Sequence, residues 1–152
     1  VFAQTWSEHC KHKIFNATIN YNENGKCETI RSLFKTYIKK ATEEIAGAID
    51  WLISVFTDNA GIIKYNDDYS ICFKVETHNS PSALDPFGGA LTGILGVNRD
   101  IMGAGIGARL LANTDVLCFA PPNYDGDVPE RLMHPRRILE GVCRGIEQGG
   151  NK

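Results

Sequence analysis

No apolar run in this sequence approaches the roughly 20 residues that cross a bilayer, so a membrane-spanning helix is not expected. A CxxC pair is missing as well. The five cysteines (Cys10, Cys27, Cys72, Cys118 and Cys143) are scattered. An odd number without close spacing fits reduced thiols in a cytoplasmic protein, not a disulfide frame or a zinc site. Nor is there an excess of positive charge: a net charge of −2 lacks the basic face that non-specific nucleic-acid binding needs. That balance still permits a phosphorylated ligand, for which one Lys, one Arg or a metal ion is enough. Val1 is not followed by a basic region and an apolar stretch, so no signal peptide is expected. With no initiator Met and an end at "EQGGNK", the chain reads as a piece of something longer. Internal repeats and low-complexity tracts are absent.

What remains is the composition of a soluble globular protein. The chain has 152 residues, 43% hydrophobic and 22% charged, which suits a single domain over 1–152. Residues 1–28 are polar, with a turn expected at Asn24-Gly25. From Thr29 to Ala46 the apolar positions Leu33, Phe34, Tyr37, Ile38, Ala41 and Ile45 recur at threes and fours, predicting an amphipathic helix. "WLISVF" (51–56) predicts a buried strand and "IIKY" a second. "YSICFKVE" (69–76) alternates with the period of a half-buried strand. "GGALTGILGVNRDIMGAGIGA" predicts a tightly packed helix followed by a loop, and "DVLCFA" (115–120) another strand. Pro121, Pro122 and Pro129 mark a loop. His134-Pro135 opens a last helix, with Ile138, Leu139, Val142, Cys143 and Ile146 on its inner face. Strands and helices mix without strict alternation, so the expected class is α+β.

Three clusters carry residues suited to chemistry. In "WSEHCKHK", Glu8, His9, His12 and Lys13 lie close together. A solvated polar segment accounts for them equally well. Zinc would need partners that are not at usable spacing, and adjacent side chains such as His9 and Cys10 diverge, which disfavours a nucleophile pair. In "KVETHNSP", Lys74 and Glu76 share one face of a strand and reach the same ligand. Thr77, His78 and Asn79 then leave the sheet at an edge where functional groups gather. A charged strand edge followed by a turn is the plain alternative, but it leaves the cost of Glu76 between apolar flanks unexplained; a hard cation would offset it. In the third cluster, Arg99-Asp100 follows a glycine-rich run. Small residues admit a phosphate close to the backbone, Arg99 can clamp it, and Asp100 supplies a carboxylate for magnesium. Together the clusters describe a site for a magnesium-nucleotide and a phosphorylated substrate.

"FAQTWSEHCKHKIF", "KVETHNSPSALDPFGGALTGILGVNRDI" and "HPRRILEGVCRGIEQGGNK", taken in this order, resemble the phosphoribosylformylglycinamidine synthase family. The helical stretch within 16–70 looks closer to that family's large single-chain form. The resemblance implies an ATP-dependent ligase of purine synthesis. ATP phosphorylates the formyl amide oxygen of formylglycinamide ribonucleotide, and ammonia from a glutaminase domain or subunit displaces the phosphate. No stretch of this chain resembles the glutaminase. Residue by residue, the resemblance makes His9 an active-site histidine and His12 and Lys74 ATP contacts. Glu76 and Asp100 become magnesium ligands. Thr77, His78, Asn79 and Ser80 become the substrate loop, with His78 as proton acceptor, and Arg99 a substrate contact. The departure is Ser80: relatives read "THNHP" where this chain reads "THNSP", losing an imidazole. The implied fold is an N-terminal α+β module related to that of aminoimidazole ribonucleotide synthase, a mixed sheet with helices packed on one face. Such a module pairs with a second synthetase module, for which a second copy of the chain would substitute, and the chain alone is expected to be inactive. Other enzymes of the same ATP-dependent superfamily, or a non-catalytic assembly module that keeps the motifs, are the competing readings.

Overall fold

The computed structural model describes residues 13–105 and 107–151. They form helix α1 (Lys13–Asn16), strands β1 (Thr18–Glu23) and β2 (Lys26–Arg31), and a π-helical segment (Phe34–Lys39) running into α2 (Lys40–Ala46). Strands β3 (Leu52–Ser54), β4 (Gly61–Lys64) and β5 (Ser70–Phe73) follow, then helices α3 (Asn79–Leu84), α4 (Pro86–Met102) and α5 (Pro135–Gly150). The class is α+β, as expected. The strands form two sheets, β1-β2 and β3-β4-β5, where the sequence suggests one mixed sheet. The β1/β2 and β4/β5 pairs are antiparallel. The chain divides into two compact units, Val1–Leu52 and Ile53–Lys152.

In the first unit Glu23 pairs with Lys26, leaving Asn24-Gly25 as a two-residue loop. Both have positive φ, 50° and 77°. Asn and Gly adopt that left-handed backbone most cheaply, and its twist matches the flanking strands. The expected turn is present. The helix expected from Thr29 begins later, because Thr29 to Arg31 are held in the ladder: Thr29 lies opposite Asn20 and donates to its Oδ1 at 3.0 Å. Ser32, at φ 61°, then turns the chain into the helix. No residue of the π segment or of α2 is buried, so the apolar stripe of Tyr37, Ile38 and Ile45 faces outward.

In the second unit the strands are shorter than their patterns. β3 takes only Leu52–Ser54 of the 51–56 run, and β5 stops at Phe73, which puts Lys74 to Thr77 outside the ladder. "DVLCFA", expected as a strand, forms none. A strand exists through its backbone hydrogen bonds, and among the described residues this segment has no partner strand.

Helices α4 and α5 form the core. Each begins with proline at its first position, where a missing N–H costs nothing. The Asp85 carboxylate accepts from the Gly88 N–H at 3.2 Å. His134 Nδ1 accepts from the Arg136 N–H at 3.2 Å, so its Nε2 donates to the Tyr124 carbonyl at 2.9 Å. Where α4 and α5 meet, α5 presents glycines. A Cβ on Gly141 would lie 2.6 Å from the Pro86 Cβ, and one on Gly145 2.6 Å from the Phe87 carbonyl oxygen. Gly141, Gly145 and Gly149 fall four apart on one side of α5. Val142 is buried beside this stripe and Ala90 and Ile94 are buried on α4. Cys143, expected inside, is exposed: the glycines, which an apolar count ignores, set the contact face.

Gly145→Ala would gain up to about 1 kcal/mol of helix propensity but force a methyl group into the Phe87 carbonyl. The expected net effect is a loss of about 1–3 kcal/mol, the usual range for overpacking. Gly96→Ala, where a Cβ meets nothing within 4 Å, should be neutral or stabilising. Urea unfolding of the two variants measures both effects, and an unchanged Gly145→Ala midpoint would contradict the packing account.

Candidate functional site

After β5 the chain runs without regular structure through Lys74 to Thr77 and enters α3 after His78. The turn lies against α4 because two glycines let it. A Cβ on Gly89 would stand 2.4 Å from the Ser82 N and 2.5 Å from the Pro81 carbonyl carbon, and one on Gly93 3.0 Å from the His78 Cβ. The His78 carbonyl accepts from the Ser82 hydroxyl at 2.6 Å and from the Ser82 N–H at 3.3 Å. The histidine backbone is thereby clamped at the helix start while its ring lies against Gly93. Its Nδ1 is buried with no hydrogen-bond partner among the described residues. With that nitrogen closed off, Nε2 is the ring atom left for exchange with a ligand.

Across from His78, the last turns of α4 present Arg99 and Asp100. Lys74 Nζ donates to Asp100 Oδ2 at 2.8 Å and lies 3.6 Å from Glu76 Oε2. The Lys74 and Asp100 side chains are only 20% and 19% exposed. The hydrogen bond to Asp100 is the main reason that the Lys74 amine is raised above the ordinary 10.5, helped by the charges of Asp100 and Glu76 and opposed by desolvation. Glu76, Asp100, His78 and Arg99 share a groove of about 150 Å³ with Thr92, Gly93 and Gly96. Small-molecule pockets run to roughly 300–1,000 Å³, so this groove suits a phosphate group or a hydrated ion, not a whole nucleotide.

The donor set fits magnesium. Two carboxylates gather around one ammonium, a place already suited to positive charge. Among the described residues no group of three His, Cys, Asp or Glu side chains could cage a metal. Magnesium takes one or two carboxylates and completes its shell with phosphate oxygens and water; a structural zinc would need four protein ligands.

The structure thus brings Lys74, Glu76, His78, Arg99 and Asp100 together. Thr77, Asn79 and Ser80 adjoin His78 but do not line the groove, and His9 and His12 lie outside the described residues. Lys74 and Glu76 meet at 3.6 Å although neither is in a strand. Glu76 is 37% exposed, so the desolvation cost expected of it is small. Thr92, Gly93 and Gly96 went unassigned on sequence, although the small-residue run containing them was the signal. Asn98, buried with Oδ1 unpaired among the described residues, carries no such signal in the sequence.

Because the raised Lys74 pKa belongs to the folded state, its ion pairs stabilise the fold fully below the unfolded value. That contribution is lost as pH rises through the folded pKa. The difference in thermal midpoint between the parent protein and Lys74→Met should therefore stay constant from about pH 7 to 10 and change only above about pH 10.5. A difference that changes already near neutral pH would contradict this.

Residues 57–152 match the family model described as AIR synthase related protein, N-terminal domain. The chain is 35% identical over 153 residues to the phosphoribosylformylglycinamidine synthase subunit PurL of Thermoplasma volcanium, covering 99% of this chain and 16% of that protein. It is 36% identical over 151 residues to the protein of the same name from Picrophilus torridus, covering 99% and 17%. Identity is 34% over 151 residues with that of Mycobacteroides abscessus, covering 99% and 16%. The chain thus spans about 16% of the length of these relatives. They are named as subunits, so the expected closeness to a single-chain form finds no support in them. No helix among the described residues is long and apolar enough to cross a membrane. The match over 57–152, more than half of the chain, shows that it belongs to the AIR synthase related protein family, as an N-terminal domain.

Proposed function

We propose that this chain is an ATP- and magnesium-binding module of a phosphoribosylformylglycinamidine synthase acting in purine biosynthesis in the cytoplasm. The observation that carries the reading is the meeting of Lys74, Glu76 and Asp100 at a groove that His78 and Arg99 also line. The names of the relatives support it. Glu76 and Asp100 would hold magnesium, which when bound neutralises phosphate charge. Lys74 and Arg99 face the anionic groups of the nucleotide and of formylglycinamide ribonucleotide. Arg99 presents the planar fork suited to a phosphate. Thr77, Asn79 and Ser80 extend the substrate contacts beyond the groove.

His78 takes up a proton as ammonia adds to the activated amide, through Nε2, since Nδ1 is sealed against Gly93. Histidine is the side chain whose ordinary pKa suits that role near neutral pH. His9 and His12 complete the site as an active-site histidine and a nucleotide contact. Ammonia comes from a glutaminase domain or subunit. The groove takes only part of a nucleotide, which supports completion of the site by a second synthetase module or a second copy of the chain. The outward-facing Val116 and Leu117 of "DVLCFA" support such pairing. All of residues 1–152 belong to this one module.

Glu76→Ala and Asp100→Ala in the full-length enzyme should each abolish ATP-dependent turnover; near-normal activity of both at limiting magnesium would overturn the metal assignment. His78→Ala should lower turnover by roughly 100-fold or more, the range for a general acid or base, with little loss of thermal stability. Full activity per folded molecule, together with a large fall in melting temperature, would reassign His78 to the core.

A further inference from the structure

We propose that Lys74 is a placeholder cation. Its ammonium holds Glu76 and Asp100 together before a divalent ion arrives, has to leave them when the ion binds, and is passed to a phosphate group of the ligand. The inference rests on the reading of Glu76 and Asp100 as metal ligands.

Two carboxylates facing one place repel each other unless a positive charge lies between them. Lys74 Nζ supplies that charge, 2.8 Å from Asp100 and 3.6 Å from Glu76. The pair therefore stands assembled with no metal. A divalent ion and an ammonium compete for these two carboxylates, and their mutual repulsion disfavours holding both at once. The lysine is a compact charge on a flexible four-carbon stem, so it can swing away while its backbone stays in place. Released, it needs an anion, and among the described residues that line the groove Glu76 and Asp100 bring the only carboxylates. A phosphate group satisfies the freed ammonium and the bound ion together. Metal and polyphosphate then bind more tightly together than either does alone, and this coupling runs in both directions. A bare ion is disfavoured because it must break the Lys74 contacts with nothing to receive the ammonium.

The test is a titration of the full-length protein with Mn2+, the free ion followed by electron paramagnetic resonance, with and without inorganic tripolyphosphate. A Glu76→Gln, Asp100→Asn double variant defines the share of binding that belongs to this site. Lys74→Met should bind Mn2+ alone at the site about ten-fold more tightly than the parent, as expected when a like charge a few ångströms away is removed. Lys74→Arg, which keeps the charge, should not. The gain in Mn2+ affinity that tripolyphosphate brings should shrink about ten-fold in Lys74→Met. A merely structural lysine would give the opposite result, because its loss would loosen the site and weaken metal binding. Lys74→Gln serves for the same comparison if the methionine variant fails to fold. Mn2+ binding no tighter in the uncharged variant than in the parent overturns the placeholder role, and leaves the metal site standing if the double variant has lost the ion. Equal Mn2+ uptake by parent and double variant with tripolyphosphate present overturns both.

Discussion

The close approach of helix α4 to the turn at His78–Ser82 is the constraint on which the site depends. At Gly89 a side chain would have to occupy the space of the Pro81 and Ser82 backbone, which cannot yield as a side-chain tip can. Gly93 continues the contact one turn later, under the His78 ring. With these two positions bare, the helix lies close enough for its last turns to bring Asp100 to Lys74. A methyl group at Gly89 would push the turn away from the helix, and a few tenths of an ångström matter to a 2.8 Å ion pair. The glycines are thus more than permissive residues: they set the distance between the two halves of the site.

The same device holds the other side of α4. Gly141 and Gly145 admit Pro86 and the Phe87 backbone, and Gly149 the Leu91 and Ile94 side chains, so α4 is approached closely on two sides, once through its own glycines and once through those of α5. Dispersion across this contact runs between the bare α5 backbone and the Pro86, Leu91 and Ile94 side chains and Phe87 backbone of α4. Little of the chain is deeply buried: Ile30, Ala60, Ala90, Ile94 and Val142 are the buried hydrophobic residues among those described.

What could be read from the residues was whatever the residues decide locally. Asn24-Gly25 specifies its turn because few other pairs tolerate two left-handed conformations. Pro135 marks a helix start because the ring presets the backbone. Lys74, Glu76, His78, Arg99 and Asp100 could be singled out because their chemistry is costly to assemble without a use. What could not be read depends on partners remote in sequence. The ladder with Asn20 takes Thr29 from the helix whose period it fits. "DVLCFA" has every property of a strand except, among the described residues, another strand to pair with. Cys143 fits the apolar face of α5, yet the side that meets α4 is chosen by glycines.

The ion pairs described above also bear on how a ligand finds the groove. Glu76 and Asp100 bring two negative charges; Lys74 and Arg99 bring two positive ones. These four formal charges cancel, so at a distance their summed field is weak. A free polyanion diffusing past is neither drawn in nor turned away, and its arrival rate should depend little on ionic strength. A polyanion carrying its own divalent ion presents a positive centre to the acids and a negative rim to the bases, so attraction begins only at close range. Selection at this groove would then occur at contact, by the pattern of charge, and not during the approach.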